Sequence, residues 1–360
     1  MHLAIDAVGA KHGGAATVAC AVVDAALASR AVSRVTVFCS ASAIRRFHFP
    51  DDERVSVVEA GSWTESPAGR IGWLWGGFER DARRRGALAF LALNGGGFRR
   101  AGRIERRTVL IQQPLPFWHD RRRYVGLGSE ARIRVIARSM RRCCSQARTV
   151  VVQSPSMARS VSEAFKVHER KIVVLPPSPP VLNASASRRV VERSAAFRLL
   201  YIGSDAVYKN VEIIGKAAAL LSRSGTPVEI AATLGPDHEL CRAGLARPLG
   251  YLGRDDLAAE LRSADVLIMP SLAETIGLPM LEAMASGVPV MAADRGYAHD
   301  LCGEAALYFD PLDAESLAQT LRSLFFSEGV ADRLRTLGMR RAATLRDGRP
   351  YERLIDLAIH

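Results

Sequence analysis

Short apolar runs alternate with longer amphipathic stretches along most of the chain. HLAIDAV (2–8) is such a run, and a glycine turn at Gly13-Gly14 follows it. Residues 15–30 then read as a helix, and VSRVTVFCS (32–40) as a β-branched strand. Strand, glycine turn, helix and strand in that order predict a parallel sheet with crossover helices. RRTVLIQQPLPFW (106–118) is a further strand ended by Pro114 and Pro116. Residues 129–148 form a helix opened by Ser129-Glu130, and RTVVVQS and KIVVLPPSPP are short buried-type strands. PPSPPVLNASAS (176–187) reads as an interdomain linker.

The second half repeats the alternation. FRLLYIG, PVEIAAT, DVLIMPS and GVPVMAAD are strands. NVEIIGKAAALLSRSG, DDLAAELRSA, GLPMLEAMASG and DAESLAQTLRSLFF are helices, and the tail 329–360 is helical with an interruption at Gly348 and Pro350. The expected fold class is α/β: two doubly wound, Rossmann-like domains facing each other across a cleft, with ligands at the carboxyl ends of strands. Absence of a short-period repeat excludes a solenoid.

Composition sharpens this picture through charge. The 360 residues carry a formal charge of +12. Residues 1–180 hold 29 basic and 14 acidic side chains, and residues 181–360 hold 20 and 23. All of the excess lies in the first half, which points to a polyanion or an anionic membrane surface contacting that half. The six cysteines show no C-x2-C spacing, so they read as small apolar filler in a reducing cytosol. The start lacks the pattern of a signal peptide, and no stretch is apolar enough for a transmembrane helix. A cytoplasmic protein with at most peripheral contact at the inner face of the cell membrane is expected.

The chemistry concentrates between Asp265 and Asp294. A strand ends at Pro270, a loop with Glu274 and Gly277 follows, and a helix begins near Leu278 with Glu282 in its first turns. The backbone amides of Thr275, Ile276, Gly277 and Leu278 would form an anion site suited to a diphosphate. Glu282 is placed to accept two hydrogen bonds from the vicinal diol of a ribose. In YIGSDAVYKN (201–210) and YLGRDDL (251–257), turns follow strands at the same side of the expected sheet.

The stretch PSLAETIGLPMLEAMASGVPV, with two glutamates in E-x7-E spacing, resembles the retaining GT-B glycosyltransferases, particularly family 4 (group 1). The downstream GEAALYFDPLDAESLA matches that family as well, and the resemblance covers about residues 197–345. It implies a GT-B fold: an acceptor domain (1–180), a nucleotide-sugar domain (188–345) and a C-terminal helix (346–360) returning to the first domain, with domain closure over the substrates. It implies that Glu274 binds donor-sugar hydroxyls and that Lys209 and the amides at 275–278 stabilise the leaving diphosphate. Leu252 and Gly253 would flank the nucleobase, and Gly13-Gly14 would be the glycine loop near the reaction centre. One position departs from the pattern: Ser204 stands where the family commonly carries a diphosphate-binding Arg.

The implied reaction is metal-independent, retaining hexosyl transfer from a nucleotide-sugar substrate, without a cofactor, to a glycan or lipid-linked saccharide. The setting it suggests is bacterial cell-surface polysaccharide or lipopolysaccharide synthesis. A sugar-nucleotide epimerase, or a non-catalytic binding protein prompted by Ser204, are the alternatives within the fold. In the first half Gln112, Gln113, His119 and Asp120 are candidates for the acceptor hydroxyl, with His119 the catalytic candidate, and His12 lies near the glycine turn. The Arg clusters at 83–85, 99–100, 106–107, 121–123 and 132–142, interleaved with Trp63, Trp73, Trp75, Phe78 and Phe98, suit an anionic bilayer. No nucleic-acid motif accompanies them, so nucleic acid is not expected as a partner.

Overall fold

The computed structural model describes residues 1–10, 13–44, 49–65, 67–93, 97–98, 106–179 and 196–360. The chain divides into two compact units. The first comprises Met1–His119, Gly126–Pro177 and Arg349–His360, and the second Asp120–Val125 and Ser178–Gly348. Most of the linker 176–187, the 188 boundary, His12 and Arg99-Arg100 lie outside the described residues.

The first unit is built on a parallel sheet of seven strands among the described residues: β1 (His2–Asp6), β2 (Arg34–Cys39), β3 (Val55–Glu59), β4 (Ala89–Leu93), β5 (Arg107–Leu110), β6 (Thr149–Val152) and β7 (Ile172–Val174). Their spatial order is β3-β2-β1-β4-β5-β6-β7, so the winding reverses between β1 and β4. The central strands are apolar on both faces because helices cover both. The helix Pro350–Ile359 packs in this unit, burying Leu354, Ile355, Ala358 and Ile359. Its Leu357 carbonyl accepts a hydrogen bond from Thr108 Oγ1 at 3.1 Å, which ties the helix to β5.

Several sequence expectations change here. Gly13 and Gly14 are the first residues of the helix Gly13–Ala28, so the turn lies before them. The helix expected at 129–148 runs Leu127–Gln146 from an N-cap at Gly126. Glu130 is buried inside it and pairs with Arg134 at 3.1 Å, so Ser129-Glu130 does not open the helix. The aromatic set separates. Trp73, Phe78 and Phe98 are core residues, with the Trp73 ring tilted against Phe38 at 5.5 Å between centroids and its indole donating to Asp6 Oδ1 at 3.1 Å. Only Trp63 and Trp75 of that set are exposed. Arg107 also leaves the basic surface: it is buried against Glu79 at 2.8 Å, and a buried guanidinium needs such a partner.

The second unit carries six parallel strands among the described residues: β8 (Phe197–Tyr201), β9 (Val228–Ala232), β10 (Arg247–Pro248), β11 (Val266–Met269), β12 (Val290–Ala293) and β13 (Ala306–Phe309). Their order, β10-β9-β8-β11-β12-β13, reverses between β8 and β11. In open α/β sheets the loops leaving adjacent strands diverge at that reversal, and a crevice opens at their carboxyl ends. The loop after β8 carries Lys209, and the loop after β11 carries Glu274. In the segment 251–257 the turn comes after β10 has stopped at Pro248, and from Arg254 onward the segment is helix, capped by Gly253 (Arg254–Ser263).

Candidate functional site

The loop after β8 is braced from within. The Tyr201 hydroxyl at the strand end donates to the Ser204 carbonyl at 2.6 Å. Gly203 donates to Thr233 Oγ1 at 2.8 Å. A Cβ at Gly203 would stand 2.5 Å from the Tyr201 hydroxyl, so a side chain there would break the brace. The loop closes in a 3-10 turn, Val207–Lys209, and Asn210 follows in the left-handed region at φ 53°.

The loop after β11 comes back to it. Leu272 N donates to the Tyr208 carbonyl at 2.7 Å. Its far end turns at Gly277, whose φ of 78° favours glycine, and the helix Leu278–Ala285 starts there with Pro279 in its first turn. The amides of Ile276, Gly277 and Leu278 make no backbone hydrogen bond among the described residues. They form the positive end of a helix with its first donors open. Thr275 and Ile276 are buried beside them. Below the loop the buried Tyr297 hydroxyl donates to the Ser271 carbonyl at 2.9 Å.

Lys209 and Glu274 meet at this seam. The ammonium of Lys209 donates to Glu274 Oε1, with both side chains mostly buried. Burial depresses the Lys209 pKa, but the charge and hydrogen bond of Glu274 outweigh it and hold the pKa above the ordinary lysine value. The site therefore contains a paired cation and carboxylate. The sequence treats them as separate ligands because 65 positions divide them.

Glu282 is different. It is buried on the second turn of the helix, and no hydrogen bond reaches its carboxyl among the described residues. Burial pushes its pKa up to about 7, against a smaller opposing effect of the Arg254 charge. A buried carboxyl without donors is costly unless a ligand supplies them. Arg254 opens the helix that Gly253 caps, which associates the turn at Leu252 and Gly253 with Glu282.

Of the residues singled out from sequence, Lys209, Ser204, Glu274, Thr275, Ile276, Gly277, Leu278 and Glu282 come together on the loops after β8 and β11 and the helix that follows. Ser204 is exposed and its hydroxyl accepts from Ala206 N at 3.4 Å, so it supplies no charge. Gly13, Gly14 and His119 belong to the first unit, His119 exposed in the turn His119–Arg123. Tyr201, Tyr208, Asn210, Thr233 and Tyr297, which shape the site, are absent from the sequence-derived set. Asn210 alone had a local signal, since Asn tolerates a left-handed turn after a lysine.

Residues 196–326 match the profile of the glycosyl transferases group 1 family. A 137-residue stretch is 33% identical to the O-antigen chain mannosyltransferase B of Escherichia coli, covering 35% of this chain and 36% of that one. The chain spans less than half the length of the first curated relatives it matches. The fold aligns with the crystal structure of WaaG, a glycosyltransferase involved in lipopolysaccharide biosynthesis, over 100% of this chain and 98% of that one, at a TM-score of 0.72 and 16% identity. It also aligns with HepE of Anabaena in complex with UDP and glucose, over 99% and 97%, at a TM-score of 0.66 and 16% identity. Residues 196–326 of the second unit are thus similar to the group 1 glycosyltransferases, in a chain whose two parallel α/β sheets carry the GT-B fold.

Proposed function

We propose that the chain transfers a hexosyl group from a nucleotide-sugar to a glycan or lipid-linked saccharide, with retention of anomeric configuration and without a metal. The observation that carries this reading is the convergence, at the sheet reversal, of a Lys209–Glu274 pair, open amides at 276–278 and the undonated carboxyl of Glu282. Each has a partner in a nucleotide-sugar. The amides and Lys209 suit the diphosphate, whose negative charge grows as the anomeric C–O bond breaks and its electron pair leaves with the phosphate. Glu274, released from Lys209, accepts hydrogen bonds from donor-sugar hydroxyls. Glu282 accepts those of the ribose. The acceptor hydroxyl forms the new bond on the face the diphosphate leaves, and its proton passes to the departing phosphate oxygen. His119, with Gln112, Gln113 and Asp120, is the acceptor-side candidate, and Gly13-Gly14 the backbone approach.

The acceptor side of the reading rests on charge. On the helix Leu127–Gln146, Arg134, Arg138 and Arg141 are exposed on one face with Val135. Arg142 lies over the ring of Trp75 at 5.4 Å, and Trp75 is 52% exposed. Glu130 pairs with Arg134 at the start of this face, and the remaining basic and apolar groups suit an anionic bilayer carrying a lipid-linked acceptor, in polysaccharide or lipopolysaccharide assembly. No helix among the described residues is long and apolar enough to cross a membrane. Release of nucleoside diphosphate from UDP-glucose, GDP-mannose or ADP-glucose, followed with and without saccharide acceptors, tests the reading. Donor consumption with no transfer and an altered sugar nucleotide would favour the epimerase. Absence of both binding and consumption would favour a non-catalytic protein.

A further inference from the structure

We infer that Asn210 is a positioning residue that holds Lys209 against Glu274, by locking the loop after β8 to the loops after β11 and β13. The inference rests on the proposed transfer only for its kinetic consequence; the geometry stands without it.

Asn210 adopts a left-handed conformation, φ 53°, that costs most side chains but is tolerated by Asn and Gly. The conformation ends the 3-10 turn and turns the side chain back across the sheet edge. There its amide nitrogen donates to the Pro311 carbonyl at 2.7 Å and the Pro270 carbonyl at 3.3 Å. Pro270 is the first residue after β11, four positions before Glu274, and Pro311 follows β13. Proline has no N–H, and each carbonyl here leaves a strand end where the ladder no longer supplies a donor. One side-chain amide with two hydrogens serves both. On the other side of Lys209, the Tyr208 carbonyl accepts from Leu272 N at 2.7 Å. Lys209 is therefore flanked, at the positions just before and just after it, by the bonds that join its loop to that of Glu274. A long lysine side chain loses much rotamer freedom when ordered, and a backbone fixed on both sides lowers that cost.

Three variants separate the amide from the backbone shape. Asn210→Gly keeps the left-handed turn and removes the donors. Asn210→Asp keeps shape and turn but sets carboxylate oxygens against two carbonyls. Asn210→Ala removes both donors and the conformational tolerance. The first measurement is hydrogen exchange across segments 202–211 and 270–277 of the full chain. The expected result for Asn210→Gly is faster exchange in both segments, with β4, β5 and β12 unchanged. The second uses whichever of UDP-glucose, GDP-mannose and ADP-glucose the wild type consumes. The kcat of Asn210→Gly falls roughly tenfold to a hundredfold, the scale of a small misplacement of reacting groups. KM rises far less. The alkaline limb of kcat/KM moves to lower pH as Lys209 loses its pairing, a change that loss of fold stability alone would not produce.

Wild-type exchange rates across 270–277 in Asn210→Gly would overturn the inference, whatever the activity. So would a wild-type kcat with an unmoved alkaline limb. If the wild type consumes no donor, the proposed transfer falls, and the exchange experiment still decides the role of Asn210.

Discussion

Lys209 and Glu274 form a mostly buried ion pair across the two loops that diverge where the winding of the second sheet reverses. Each is also a group that a nucleotide-sugar would engage separately. The pair holds the two loops together, and under the proposed transfer a donor would exchange one internal contact for two external ones.

Removing one partner leaves the other charge buried. Lys209→Met is expected to destabilise the fold by about 3–5 kcal/mol, the usual cost of breaking a buried pair. The double variant Lys209→Met/Glu274→Gln should recover most of that loss while transfer stays abolished. Thermal unfolding monitored alongside donor consumption checks both. Equal stability of the single and double variants would mean that the two side chains are not coupled.

Glu282 makes stability depend on pH in the unusual direction. Its folded pKa, about 7, lies above the ordinary carboxylate value, so the folded state holds this proton more tightly than the unfolded one. The associated stability is present below about pH 4.5 and is lost as pH rises toward 7. Glu282→Gln should therefore stabilise the protein at pH 8, by up to about 3 kcal/mol, and change little at pH 4. Unfolding curves at the two pH values measure this. Donor affinity should move oppositely: ribose hydroxyls favour the carboxylate, so affinity in the wild type rises from pH 6 to 8, and Glu282→Gln weakens binding and flattens the trend.

Gly277 sets the direction of the open amides. At its φ of 78°, a Cβ would approach Met280 Cε to 2.7 Å. Gly277→Ala is expected to lower nucleoside diphosphate affinity more than tenfold, while the fold loses about 1–2 kcal/mol from the left-handed strain alone. Calorimetry with UDP, GDP and ADP beside thermal unfolding distinguishes a displaced helix start from general loss of structure. Unchanged affinity would remove these amides from the diphosphate site.

The arginine face of Leu127–Gln146 predicts salt-dependent binding to vesicles. Cosedimentation should require phosphatidylglycerol or a similar anionic lipid and weaken between 50 and 500 mM salt, on the order expected as the screening length shortens. Arg134→Ser/Arg138→Ser/Arg141→Ser should abolish it without altering donor hydrolysis in solution. Equal binding to neutral phosphatidylcholine vesicles would contradict the electrostatic account.

The sheet alternation, the E-x7-E spacing and the proline and glycine at the helix start were all legible along the chain, because each is a local pattern. Glu282 reads as a ligand candidate from its place on the helix alone. The pairing of Lys209 with Glu274 could not, since it depends on β8 and β11 becoming neighbours although β9 and β10 intervene in sequence. Arg107 shows the reverse limit. In an Arg-rich segment it reads as surface charge, and only the fold reveals the buried Glu79 that holds it. Trp73 likewise belongs to the core through Phe38 and Asp6, contacts that no periodicity in a glycine-rich stretch announces.

The central claim is that this site breaks the anomeric bond of a nucleotide-sugar and preserves its configuration. It is tested most directly by proton NMR of UDP-glucose, GDP-mannose and ADP-glucose incubated with the wild type and with Glu274→Ala. The expected result is consumption of one α-linked donor by the wild type, with the sugar appearing first as the α anomer and the nucleoside diphosphate accumulating in step. Glu274→Ala should leave that donor intact. A first-formed β anomer would contradict retention, and an equally active Glu274→Ala would contradict the assignment of the site.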